Sequence, residues 1–94
     1  MSKRFDLGQV VVTAGVDAMR NENPEFRIFV SDCLLRYING DWGDICDEDR
    51  GINEASIDDG EMIFAVYKFN DDITIDIQTE WDRSYTTIMF PHER

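Results

Sequence analysis

The chain predicts a single α+β domain over residues 1–94, ordered β-α-α-α-β-β-β, with its helices packed on one face of a largely antiparallel sheet. Three observations carry that prediction. Phe26, Phe29, Val30, Cys33, Leu34, Tyr37 and Ile38 recur at helical spacing between Asn23-Pro24 and Gly40. Ile73, Ile75 and Ile77 alternate with Thr74, Asp76 and Gln78, the period of a strand with two unlike faces. Ninety-four residues with 43% apolar content are enough for one packed core and too few for two.

Each element has its own local signal. Gly8 opens a short β-branched strand over Gln9-Val10-Val11-Val12-Thr13. Thr13 is placed to cap a helix from Ala14 to Arg20, weakened internally by Gly15. Asn23 followed by Pro24 restarts the chain as a helix, because Asn caps well and Pro suits the first helical position. That helix should end at Gly40. A third helix is expected with Asp44 as its cap, with Asp47, Glu48 and Asp49 in its first turns and Ile45, Ile52 and Ala55 toward the core, closed by Gly60. Met62 to Phe69 and Ile73 to Gln78 read as a hairpin turned at Asn70-Asp71-Asp72. Tyr85 to Phe90 forms a last strand after the polar turn Glu80-Trp81-Asp82-Arg83-Ser84, and Pro91 ends it. As an exposed edge, Ile73 to Gln78 offers a route to dimer pairing, against which Asp76, Asp71 and Asp72 argue, so monomer and dimer both stay open.

Charge is the unusual bulk property. Twenty acids against nine bases give −11, beyond the magnitude of about 2–8 that solubility alone asks of a small domain. Such a field repels nucleic acid and membrane surfaces and favours basic partners. No run of about 18 apolar residues offers a membrane span. The opening Met1-Ser2-Lys3-Arg4-Phe5-Asp6 lacks the apolar stretch of a secretory signal, so an intracellular protein is expected. Cys33 and Cys46 are not spaced as C-x-x-C and are expected as buried thiols, with a disulfide left open.

Gly40-Asp41-Trp42-Gly43-Asp44, followed by Asp47-Glu48-Asp49 and Asn53, is the most distinctive stretch. It places a Trp and two glycines in a connector, and connectors often carry function. The acids fail the EF-hand test: no Gly stands sixth in any D-x-D-x-D register, and no Glu closes a twelve-residue loop. Cys33, Cys46 and His92 match no zinc-ligand spacing, so neither metal nor cofactor is expected. His92 is the lone histidine and lies near the end of the chain, which leaves a Ser or Cys nucleophile without its usual base. No catalytic residue is assigned. Gly40-x-x-Gly43 is too short for a phosphate loop and lacks the following Lys. Trp42 and Trp81 each flank acids and suit either a partner interface or a fold-back onto the core.

Three stretches resemble a family of short proteins encoded on plasmids, prophages and integrative elements. They are Phe5-x-Leu7-Gly8-x-Val10-Val11-x-Thr13, the GDWGD stretch from Gly40 to Asp44 with Asp49 and Asn53, and Thr79-Glu80-Trp81-Asp82-Arg83-Ser84-x-Thr86-Thr87 with Pro91. Some members carry a type I restriction methyltransferase label, but this chain shows no S-adenosylmethionine loop and is too short for that fold. Members of the family often have His where Tyr37 stands and Ala where Trp81 stands, so any role of that His is lost here. The resemblance implies a mobile-element accessory protein in the cytoplasm of a bacterial host.

Together with the charge, this leads to an expected function: a non-enzymatic inhibitor of a host nuclease defence, of the anti-CRISPR or antirestriction kind. Its partner would be the basic nucleic-acid-binding surface of a CRISPR effector or restriction enzyme, with no direct contact to nucleic acid. The expected partner-binding residues are Asp41, Trp42, Asp44, Asp47, Glu48, Asp49, Asp58, Asp59, Glu61 and Trp81, carboxylates that would compete for phosphate-holding Lys and Arg. Two alternatives stand beside it. One is an accessory or regulatory module that binds another plasmid or phage protein. The other is a metal-dependent or acid–base enzyme using Asp41, Asp44, Glu80, Asp82 and Arg83.

Overall fold

A computed structural model describes residues 4–94. The elements run β1 (Gln9–Val12), α1 (Ala14–Glu22), α2 (Pro24–Ile38), α3 (Asp47–Asp59), β2 (Ile63–Lys68), β3 (Thr74–Thr79) and β4 (Tyr85–Met89), then a 3-10 turn over Pro91–Glu93. The expected order and fold class are the observed ones. The sheet order is β1-β4-β3-β2, antiparallel except where β1 lies parallel to β4. β1 and β2 are therefore the edges. β3 is an interior strand, so the edge role expected for Ile73 to Gln78 is corrected: both of its sides are already paired.

Local chemistry sets the helix ends. Thr13 Oγ1 accepts from Val16 N at the start of α1, and Asn23 Oδ1 accepts from the amides of Glu25 and Phe26 at the start of α2. Gly60 ends α3 in the left-handed conformation at φ +71°. The start of α3 differs from expectation. Cys46, not Asp44, is its N-cap, and no side chain caps it. Three acids in the first turn then supply what the cap omits, by opposing the positive end of the helix dipole.

The α2 stripe folds as its spacing predicts. Phe26, Val30, Cys33 and Tyr37 are buried, joined by Val16 of α1 and by Ile63, Ala65, Tyr67, Ile75, Ile77 and Ile88 of the sheet. Phe5, Tyr37 and Trp42 form an aromatic group, with ring centroids 5.2 Å apart for Phe5–Tyr37 and 5.7 Å for Tyr37–Trp42. A row of hydroxyls crosses this core. Tyr37 Oη lies 3.1 Å from the Ile63 carbonyl and 2.8 Å from Thr79 Oγ1. Thr79 Oγ1 lies 2.8 Å from Thr86 Oγ1, which lies 2.7 Å from the Leu7 carbonyl.

α3 packs differently. Its buried residues are Asn53 and Ser56, whereas Ile52 is 55% exposed and Ala55 also faces outward, opposite to the inward positions expected for both. Ile45 is buried as expected, but in the connector ahead of the helix. Cys33 is buried and Cys46 exposed, and both are free thiols, which corrects the expectation of two buried ones. No helix among the described residues is long and apolar enough to cross a membrane.

Candidate functional site

The Gly40–Asp44 stretch is an edge cover. Gly43 forms a parallel bridge to Val66. Asp44 N donates to the Val66 carbonyl at 2.7 Å, and Asp44 Oδ2 accepts from Lys68 N at 2.9 Å. Further along β2, Asn53 of α3 accepts from Phe64 N at 3.2 Å and donates to the Phe64 carbonyl at 2.6 Å. Bare strand edges invite pairing with other chains, and these contacts occupy the free edge of β2. Gly43 adopts φ +72°, and a Cβ there would lie 2.1 Å from the Val66 carbonyl oxygen, so no other residue fits.

The same stretch is braced from behind. Trp42 is 2% exposed, and its Nε1 donates to Glu54 Oε2 at 2.8 Å. Glu54 also holds Arg4 through a two-pronged ion pair. Those donors hold the Glu54 carboxyl below its ordinary range, with Arg4 the larger cause. Asp41 pairs with Arg36 at 2.7 Å, which lowers its acidity range likewise, and its carbonyl accepts from Tyr67 Oη at 2.6 Å. Arg50 donates to the Gly43 and Ile45 carbonyls. Of the expected partner-binding residues, Trp42 is thus a core residue, while Asp41 and Asp44 face solvent only in part of their chemistry.

The remaining acids lie at the surface. Asp47, Glu48, Asp49, Asp58, Asp59 and Glu61 are all exposed, and among the described residues only Asp47 takes part in an ion pair, to Arg50 at 3.7 Å. Their positions on α3 carry information. Acids in the first turn favour the helix, whereas Asp58 and Asp59 occupy its last turn, where the dipole disfavours negative charge. Helix stability therefore accounts for the first group and not for the second.

Apolar surface lies among these carboxylates. Ile52 and Met62 are exposed, and with Asp49, Asn53 and Phe64 they line a shallow groove of about 230 Å³. Trp81 is 63% exposed. Arg83 ties the Trp81 backbone to the end of α3, because one guanidinium nitrogen bonds the carbonyls of Glu61, Glu80 and Trp81 while the other bonds that of Ser56. The guanidinium so ties the end of α3 to the β3–β4 turn, with its charge at the negative end of the helix dipole. Arg83 holds φ +60° to do this.

The catalytic constellation is not assembled. Asp41 and Asp44 lie beside the Val66–Lys68 end of β2, whereas Glu80, Asp82 and Arg83 follow Thr79, which pairs with Ile63 at the other end. Asp82 is engaged locally, its Oδ1 accepting from Ser84 N at 3.0 Å. His92 stacks on Phe90 with centroids 5.7 Å apart. Among the described residues no three His, Cys, Asp or Glu side chains gather as a metal site.

One arrangement was illegible in the sequence. Asp76, which alternates with the isoleucines of β3, is fully buried and paired with Arg94, whose guanidinium lies 4.9 Å from the centroid of the Phe64 ring. Nothing in the alternation of β3 distinguishes a covered outer face from a wet one.

Fold and surface together define a small acidic α+β domain whose exposed chemistry is a carboxylate-rich helix, an apolar groove along it and an exposed tryptophan in the β3–β4 turn. No family model matches the chain, and neither a curated protein nor a solved structure matches it.

Proposed function

We propose that this is a non-enzymatic, acidic inhibitor of a host nuclease defence, of the anti-CRISPR or antirestriction kind, that binds the basic nucleic-acid-holding surface of its target. The observation that carries the reading is the exposed acid set of α3 and its exit, Glu48, Asp49, Asp58, Asp59 and Glu61, which forms no ion pair among the described residues and persists at Asp58 and Asp59 where the helix dipole opposes it. A surface of that kind attracts Lys and Arg that ordinarily hold phosphates and accelerates encounter with a basic groove. Ile52, Met62 and Trp81 supply the desolvated contact area that charge alone lacks. The motif resemblance to mobile-element proteins fits the same role.

The test is a plasmid-interference assay in cells carrying different CRISPR or restriction systems, with and without the protein. Rescue of one system is expected. The variant Asp58→Lys/Asp59→Lys separates function from folding, because it places cations where the dipole favours them. It should melt close to the native chain, because the gain of about 0.3–1 kcal/mol per Lys at the helix end is offset at position 58 by the lost attraction between Asp58 and Arg4, while its inhibition is lost. No rescue of any system, or full rescue by the double lysine variant, would sink the proposal. Co-purification with another element-encoded protein, without rescue, would favour the accessory-module reading.

A further inference from the structure

Asp76 sits mid-strand in β3 on the sheet face turned away from the buried isoleucines Ile75 and Ile77, between Val66 and Met89 of the neighbouring strands. Its two oxygens are treated unequally. Oδ2 accepts from Arg94 Nε, while Oδ1 is buried with no hydrogen-bond partner. A buried acceptor without a donor forfeits the hydrogen bonds water gave it, and guanidinium–carboxylate pairs frequently close through two parallel bonds. Arg94 closes only one. It extends from a short turn pinned by Glu93, which accepts from Phe90 N at 2.8 Å and from Thr13 Oγ1 at 2.7 Å. Its side chain is half exposed, while the carboxylate beneath is not.

We propose that Asp76 and Phe64 form a seat for an arginine side chain of the basic partner, occupied in cis by Arg94 until the partner's guanidinium displaces it. The inference rests on the reading of a basic partner and names the residue type that anchors it. Three features favour an arginine. A free guanidinium can meet both Asp76 oxygens, which the tethered Arg94 does not. Phe64 offers its face to a flat cation, a contact that a lysine ammonium makes without the stacking component. Phe64 also lines the groove beside Asp49, Ile52 and Met62, so the seat and the acidic face share that residue. Exchange of one guanidinium for another conserves charge in the seat, so the desolvation of the incoming cation is offset in part by the release of Arg94 to water and Asp76 is never left without a counter-ion.

The experiment uses the full chain with Arg94→Ala and titrates N-acetyl-arginine amide, followed by amide and methyl chemical shifts. Saturable shifts are expected at Phe64, Val66, Asp76 and Gln78. Affinity should be at least about tenfold weaker in the native chain, where Arg94 competes, and weaker again for the lysine analogue. Adding Asp76→Asn to Arg94→Ala should abolish the shifts. If Arg94→Ala does not fold, Arg94→Lys retains a cation without the planar fork, and the same titration applies. The proposal is overturned if a folded Arg94 variant shows no saturable shift at these positions, binds lysine equally, or binds without Asp76. The titration uses no defence enzyme, so its failure leaves the inhibitor reading standing, and failed plasmid rescue leaves the seat intact.

Discussion

Arg83 is the residue whose role changes most between sequence and structure. In the sequence it belongs to a polar turn and to a possible reactive set with Asp41. In the structure its guanidinium is consumed by four backbone carbonyls, those of Ser56, Glu61, Glu80 and Trp81. Charged donors to backbone acceptors contribute about 1.5–3 kcal/mol where neutral ones give less. Arg83→Ala should therefore destabilise the fold by roughly 2–3 kcal/mol in urea titration. Arg83→Lys should recover only a minor part, because an ammonium cannot span carbonyls from two segments as the planar fork does. Trp42 and Trp81 make the companion case. Both flank acids in sequence, yet one is buried against Phe5 and Tyr37 and the other is open to solvent. Nothing local separates them; what does is that Trp42 meets Glu54, twelve residues on, as an acceptor for its indole N–H.

At the level of elements, what local chemistry specifies was legible and what distant pairing specifies was not. Thr13, Asn23-Pro24 and Gly60 mark their helix ends because capping acts within three or four residues. The α2 stripe is readable because one helix face meets one core. The parallel pairing of β1 with β4 leaves no such trace, since the partners are about seventy-five residues apart and the register comes from the assembled sheet. α3 was misread for a related reason: its inward side is polar. Asn53 and Ser56 are buried because Asn53 completes a strand edge, a role that hydrophobic periodicity does not report. Asn53→Ala should cost about 1–3 kcal/mol, since it leaves both Phe64 backbone groups partnerless at a covered edge. Native-state hydrogen exchange should locate the effect, with the Phe64 amide losing protection while amides of β3 and β4 keep theirs. Equal loss across the sheet would refute the edge-cover account.

For the molecule as a whole, the charge of −11 sets two opposed responses to acid. Unpaired carboxylates repel one another, so their protonation relieves the compact state. Asp41, Glu54 and Glu93 act the other way. Arg36 holds Asp41 low, Arg4 and then Trp42 hold Glu54 low, and the Phe90 amide followed by the Thr13 hydroxyl holds Glu93 low. A carboxyl whose folded value is depressed contributes stability that is present above its unfolded value, near 4, and lost as pH falls through the folded one. Melting temperature should accordingly stay level or rise from pH 7 to about 5, and then fall below about 4. Asp41→Asn should lower stability at pH 7 and flatten the acid limb. Added salt at pH 7 should raise the melting temperature, because a Debye length of about 10 Å at 0.1 M screens the repulsion more than the close pairs. A steady rise down to pH 3 would show that repulsion outweighs these paired groups throughout.

The hydroxyl row in the core leads to a count of protons. Tyr37, Thr79 and Thr86 bring one hydroxyl hydrogen each, three in all, to four close oxygen contacts ending on the Ile63 and Leu7 carbonyls. One contact at any instant must hold two oxygens with no hydrogen between them. Turning the Thr79 hydroxyl moves that vacancy between its contacts with Tyr37 and Thr86, as an orientational defect moves through ice. With Tyr37 and Thr86 donating to the two carbonyls, only the Thr79 hydrogen has a choice, and the oxygen positions are compatible with two arrangements, worth roughly 0.4 kcal/mol at most as RT ln 2 if both were equal. A fully buried row, fixed in its heavy atoms by hydrogen bonds, keeps a residual entropy in one of its protons.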